Sequence, residues 1–350
     1  RMADGGPHAN GEEQEILAQY SGWGGLSDAF EPNKDSWHSE YTELKSLLTE
    51  EEYAAARSST LTAFYTPPEV IDAMYTALRK MGVGAGTILE PSMGVGAFFG
   101  QSHSYLYEPT TRLFGVELDS LTGRIARQLY QKANIQITGF EKADLPDSFF
   151  DVVIGNVPFG DYSVVDPQYN RLHFKIHDYF FAKSIDKLRT GGIIAFITSK
   201  GILDRKDESL REYIARRAEF IGAIRLPNTA FKALAGTDVT ADVVFLKKRV
   251  QPIELDRANL PSWIETDLDR SKWIAYNRYF KDNPEMLMGE MVSSRNMYGS
   301  EDGTACIAPE GFDLYEHLSD AVESLYARFS AEPDVEPIEE AEEEQPTDYE

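Results

Sequence analysis

Between Tyr65 and Lys247 segments of helical period alternate with short apolar runs, and this alternation restricts the fold more than any other feature. Thr66-Pro67-Pro68-Glu69 reads as a helix start, with Thr as N-cap and Pro in the first turn. Val70, Ile71, Met74 and Leu78 follow at helical spacing. Strands are expected at Thr87–Glu90, Leu113–Glu117, Ile135–Thr138, Asp151–Gly155, Ile193–Thr198, Ile221–Leu226 and Val243–Lys247. Helices are expected around Phe98 and over Asp119–Tyr130, Ile176–Leu188 and Glu208–Arg217. Such a series calls for a doubly wound, mostly parallel α/β sheet with right-handed crossovers. Only Pro227 to Thr240 separates the last two strands, with no obvious helix between them, so the sheet should end in an antiparallel pair.

The flanks read differently. Residues 1–11 suit a disordered leader, and 12–60 look helical, with Trp23 and Trp37 in turn-rich patches. Thr49-Glu50-Glu51-Glu52 has capping-box spacing. Residues 251–330 are less regular, with a helix expected from about Asp313 to Phe329. The Pro- and Glu-rich residues 331–350 cannot bury a core and should be a solvated tail. No apolar run approaches the roughly 18 residues of a membrane span. A single cysteine, Cys306, fits a reducing cytoplasm, and the six histidines show no zinc-type spacing. No metal is expected.

A net charge of -24 argues at first against a nucleic-acid partner, but the acidity sits in the flanks. Residues 61–250 carry 23 basic and 21 acidic side chains, a balance of +2. A nucleic-acid substrate is compatible with that balance, though not demanded by it. The basic residues Lys200, Arg205, Lys206, Arg211, Arg216 and Arg217 read as a solvated helix face or as a phosphate-contacting edge.

Three stretches carry the chemistry. In Ile88-Leu89-Glu90-Pro91-Ser92-Met93-Gly94-Val95-Gly96 a strand ends in an acid and runs into a glycine turn that would let a ligand approach the backbone. The third glycine of a dinucleotide fingerprint is missing, since position 99 is Phe, and no Walker sequence occurs. Gly115-Val116-Glu117-Leu118-Asp119 ends the next strand in a second acid, placed to take a ribose diol. Two strand-end acids and a glycine turn suit a ligand with an ammonium, a ribose and no phosphates, such as S-adenosylmethionine. Phe150-Asp-Val-Val-Ile-Gly-Asn-Val-Pro-Phe-Gly160 runs a buried strand into Asn156-Val157-Pro158-Phe159. That sequence makes either a receptor for a flat, amine-bearing base or a strand-ending turn with a buried Phe.

In order and in spacing, Thr66-Pro67-Pro68, Glu90 to Gly96, Glu117 and Asn156-Val157-Pro158-Phe159 resemble the N6-adenine DNA methyltransferases. The Thr-Pro element ahead of the glycine turn is similar to their gamma class, which includes type I modification subunits. More narrowly, Tyr20-Ser21-Gly22-Trp23-Gly24-Gly25-Leu26 and Ile224-Arg225-Leu226-Pro227-Asn228-Thr229-Ala230-Phe231 resemble the methylase region of large methylase–helicase proteins of phages and mobile elements.

The resemblance implies a class I S-adenosylmethionine-dependent methyltransferase fold and methylation of the adenine N6 in DNA by base flipping and direct transfer. It divides the chain into a leader and helical extension (1–60), a catalytic domain (61–250), an accessory extension that could hold part of a recognition region (251–330) and the tail (331–350). It implies a cofactor site of Thr66, Pro67, Glu90, Pro91, Ser92, Gly94, Gly96, Glu117, Leu118, Phe140 and Glu141. Asn156 and Pro158 would hold the target amine, Phe159 would stack beneath the base, and Phe231 could supply a second ring or simply belong to the core. Val157 departs from the Pro usual in the family. His173 and His177, near the target loop, read as helix-start or core residues ahead of a proton-accepting role. The partners implied are DNA and a specificity subunit or helicase-like domains of a longer chain, in a prokaryotic or phage-infected cytoplasm. Methylation of a protein glutamine or RNA amine on the same fold, and a non-catalytic binding module, are the alternatives.

Overall fold

The protein is described from a computed structural model over residues 8–20, 22–23, 26–60, 66–105, 110–231, 239–294 and 303–331. Seven strands form its central sheet: β1 (Thr87–Glu90), β2 (Arg112–Glu117), β3 (Asn134–Ile137), β4 (Phe150–Asn156), β5 (Leu188–Ser199), β6 (Ala218–Arg225) and β7 (Ala241–Lys248). Their order is β3-β2-β1-β4-β5-β7-β6. The first five are parallel, and β7 lies antiparallel between β5 and β6. Val152, Val153 and Ile154 of β4, and Ile193 to Ile197 of β5, are buried, as continuous apolar runs in a sheet covered on both faces should be. The expected sheet, including its antiparallel end, is the one observed.

Strand order reverses between β1 and β4, which opens a crevice beyond their carboxyl ends. The described helices before residue 250 are α1 (Gly11–Leu17), α2 (His38–Leu47), α3 (Glu50–Ser59), α4 (Pro68–Lys80), α5 (Ala97–Tyr105), α6 (Ser120–Leu129), α7 (Ile176–Lys187), α8 (Gly201–Asp204) and α9 (Ser209–Arg217). Helix α4 buries Val70, Ile71, Met74, Tyr75, Ala77 and Leu78 on the sheet, the stripe expected from its spacing. Its N-cap is Pro67 rather than Thr66, one residue later than the pattern implied. The Thr66 hydroxyl is engaged elsewhere, in the cleft described below.

The start of the chain is more ordered than its polarity suggested. Ala9 is buried: its N–H donates to Gln128 Oε1 (2.7 Å) and its carbonyl accepts from Gln131 Nε2 (2.8 Å). Asn10 and Glu13 close a capping box on α1, and Thr49 and Glu52 close the expected one on α3. The remainder of the leader, residues 1–7, and all but the first residue of the tail lie outside the described residues.

Residues 251–331 add two small hairpins, β8 (Thr266–Asp269) with β9 (Ile274–Asn277) and β10 (Glu290–Ser293) with β11 (Thr304–Ile307), and the final helix Leu314–Ala331. Trp263 stacks on Phe220 of β6 at 4.6 Å, and Leu318, Val322 and Leu325 join the main core. Arg225, fully buried, donates to Asp242 (2.7 and 2.8 Å) and to Asp204 (2.9 and 2.8 Å). Asp204 in turn accepts the Asn277 N–H (2.9 Å), which stitches the extension to the sheet. Among the described residues no helix is long and apolar enough to cross a membrane.

Candidate active site

A cavity of about 330 Å³ occupies the crevice at the β1/β4 reversal. Its floor is the turn after β1. Gly94 sits there at φ +54°, with open space where a side chain would project, so the backbone stays bare to a ligand. The Gly94 N–H donates to Glu117 Oε2 (2.8 Å), and the Asp119 N–H donates to Glu117 Oε1 (2.8 Å). Both oxygens of the β2 acid are therefore aimed by main-chain donors. Burial nevertheless pushes the Glu117 carboxyl up to about 7, outweighing those bonds.

Glu90, at the end of β1, is buried at 2% exposure, and its Oε2 has no hydrogen-bond partner among the described residues. Burial first, and the nearby Glu117 second, hold its carboxyl well above the usual range. An acid left in that condition in the wall of a cavity suits a cationic ligand. Together, the bare glycine turn, the oriented Glu117 and the partnerless Glu90 fit a molecule with a ribose and an ammonium.

Asn156 ends β4 and lines the same cavity. Its Nδ2 donates to Thr66 Oγ1 (3.4 Å), and its carbonyl accepts from Ser92 Oγ (2.8 Å). The loop is thus tied both to the start of α4 and to the glycine turn. Val157 is buried, and its N–H donates to Ile197 O (3.0 Å), extending the β4–β5 ladder by one residue. A proline there would lack that donor. Pro158 lines the cavity.

Most of the expected site residues converge on this cleft: Thr66, Glu90, Pro91, Ser92 and Gly94 from one side, Glu117, Leu118, Phe140 and Glu141 from the other. Leu118 stays 75% exposed, whereas Phe140 is buried and packs on Phe180 (4.9 Å). Lys183 Nζ donates to the Glu141 carbonyl (3.3 Å), fixing that end.

Four residues stand apart. Pro67 caps α4 behind Thr66. Gly96 (φ +84°) shapes the turn from its far side, where a Cβ would fall 2.5 Å from the Tyr130 ring. Phe159 is half-buried against the main core, just outside the lining. Phe231 is 1% exposed within the core, so its ring is not presented to the cleft, and the reading as a second stacking ring is corrected to a packing role.

Of the basic series, Arg211 is fully buried and donates to the carbonyls of Ile264, Ile202 and Arg205 (2.6, 3.1 and 2.8 Å), which removes it from any solvated or phosphate-facing edge. His177 is pushed below its usual pKa by burial, and neither it nor His173 lines the cavity. No cluster able to hold a metal occurs among the described residues.

Some lining residues were not anticipated. Gly22, Trp23 and Ala55 reach the cleft from the N-terminal section, which the sequence marked only as a helical extension. Tyr162 and Val164 come from the loop after β4, whose length of about twenty residues was the one available signal pointing to them.

Seven strands in this order, with β7 inserted antiparallel and a cleft at the reversal, make the chain a class I methyltransferase in fold. The N-6 DNA methylase family matches residues 47–258, well over half of the chain, and the protein belongs to that family. It is 29% identical over 243 residues to the Defense against restriction protein B of Escherichia phage P1. That match covers 68% of this chain but only 9% of the phage protein. Among solved structures, the methyltransferase subunit of a type I restriction-modification system from Streptococcus thermophilus is similar, with 17% identity, a TM-score of 0.49, and 84% of this chain and 61% of that one covered. The EcoKI type I M protein is similar at 15% identity and a TM-score of 0.47, with 92% and 82% covered.

Proposed function

We propose that this protein methylates the N6 amine of adenine in DNA, with S-adenosylmethionine as donor. The observation that carries the reading is the placement of Asn156, its carboxamide bonded to Thr66 and its main-chain carbonyl to Ser92, in the same cleft as Glu90, Gly94 and Glu117. In this reading Glu117 accepts from the ribose hydroxyls, Glu90 faces the ammonium, and the Gly94 backbone lets the ligand lie close. When bound, the cofactor supplies a methyl group already activated on a positively charged sulfur.

The chain's own task is to make a poor nucleophile react. The N6 lone pair of adenine is delocalised into the ring. Asn156 Oδ1 and the Pro158 carbonyl, accepting the two N–H groups, would draw the nitrogen toward tetrahedral geometry and stabilise the positive charge that develops there. Fixing the amine in line with the donor supplies the orientation term. The base leaves the duplex at a cost of a few kcal/mol, offset by stacking on Phe159 or on Tyr162, which lines the cleft at 48% exposure. Val157, taken up by the β4–β5 ladder, keeps the loop in register without the usual proline, which supports a working loop rather than a degenerate one.

In this reading the chain is a catalytic piece whose recognition sequence is read by further domains of a longer chain, helicase-like ones included, or by a separate specificity subunit; that the match covers only 9% of the phage relative is compatible with the first. The setting we assign is the cytoplasm of a prokaryotic or phage-infected cell. Transfer of tritiated methyl to DNA, RNA and protein offered side by side tests the substrate class: label in DNA supports the proposal, and label only in protein or RNA contradicts it.

A further inference from the structure

The family match begins at residue 47, yet part of the cleft wall comes from before it. Gly22 and Trp23 line the cavity, as do Glu117, Asp119 and Thr122. The segment that carries them is firmly anchored to α6. Tyr20 and Thr122 share a hydroxyl hydrogen bond (3.2 Å), and Thr122 Oγ1 donates to Asp119 Oδ2 (2.5 Å). Glu52 pairs with Arg124, and Gln14 Nε2 donates to the Gln128 carbonyl (2.7 Å).

Trp23 itself is clamped edge-on between Tyr20 (5.9 Å) and Phe30 (5.5 Å). Its Nε1 is buried and has no hydrogen-bond partner among the described residues. A buried indole N–H ordinarily finds an acceptor, because leaving it unmet costs about 1–3 kcal/mol. Here the ring is held between two aromatic neighbours, in the wall of a cavity that Glu117, the acid assigned to the ribose, also lines.

We propose that Trp23 is a further cofactor-binding residue, closing the nucleoside end of the cleft and donating its indole N–H to an acceptor on the adenosyl group. The inference rests on the reading of this cleft as an S-adenosylmethionine site. It makes the N-terminal segment part of the binding machinery, so a fragment trimmed to the family match would bind the cofactor poorly.

The test is Trp23→Phe, which keeps a ring between Tyr20 and Phe30 and removes only the donor. Calorimetry with S-adenosylhomocysteine and with 5′-methylthioadenosine, which lacks the amino-acid end, should show both ligands weakened by a similar factor of about ten. Quenching of indole fluorescence by either ligand should be largely lost, since Trp37, Trp263 and Trp273 do not line the cavity. Equal affinity of parent and variant for both ligands overturns the inference. Weakening confined to S-adenosylhomocysteine also overturns it, because the acceptor would then be on the amino-acid end. A parent protein that binds neither ligand refutes the underlying cofactor reading instead.

Discussion

Glu90 and Glu117, at the ends of adjacent parallel strands, face the same cleft, and the charge of Glu117 adds to burial in keeping Glu90 from ionising. Two acids in one low-dielectric wall cost folding free energy whenever both are charged. The arrangement costs stability, as the proposed cofactor site requires, and its consequences are measurable.

The Glu117 carboxyl is raised from 4.5 to about 7, so the folded state holds this proton more tightly than the unfolded chain. The associated stability is fully present below pH 4.5 and is lost as pH rises through about 7, a change on the order of 3 kcal/mol. Between pH 5 and pH 8 the parent should therefore lose thermal stability relative to Glu117→Gln. Parallel thermal melts check it, and identical pH profiles would contradict it.

Glu90→Gln should leave the ligand-free protein as stable as the parent, or more stable at pH 8, because a partnerless buried acid is removed. The same change should weaken S-adenosylmethionine binding at least about tenfold, the scale of a lost charge-assisted contact. Calorimetry alongside melting separates the two effects.

The two glycines of the turn should respond oppositely. Gly96→Ala drives a methyl group into the Tyr130 ring at a left-handed φ and should cost about 1–3 kcal/mol of stability. Gly94→Ala meets open space, so it should cost about 1 kcal/mol yet obstruct the ligand. Chemical denaturation and cofactor titration of both variants distinguish the framework glycine from the floor glycine.

Val157→Pro, which places the usual family residue in the loop, should destabilise this chain by about 1 kcal/mol or more, through loss of the N–H bond to Ile197. An unchanged denaturation midpoint would show that the ladder extension contributes nothing.

The fold was legible because each parallel strand is a short, continuous apolar run bounded by turn residues, and because the sequence between β6 and β7 shows no helical pattern that would mark a crossover. The strand-end acids and Asn156 were legible for the same reason: a residue at the carboxyl end of a known strand has a known address. What escaped was whatever depended on distant segments meeting. Nothing local to Trp23 reveals that α6 will hold it against the cleft. Phe231 and Arg211 look no different from surface or site residues until tertiary packing buries both, Arg211 against the Ile264 carbonyl from the segment beyond residue 250. Order at the start of the chain does have a local sign, since Asn10 and Glu13 have the spacing of a capping box.

The central claim is that the Asn156 carboxamide presents adenine N6 to the methyl donor. The most direct measurement is N6-methyladenine, scored by long-read sequencing, in DNA from cells expressing the parent or Asn156→Ala. The account predicts methylated adenines with the parent and a loss of at least about a hundredfold with the variant, the scale of removing one preorganised transition-state contact. Methylation at the parental rate in Asn156→Ala, or none with a parent that binds the cofactor and is supplied with DNA, would contradict it.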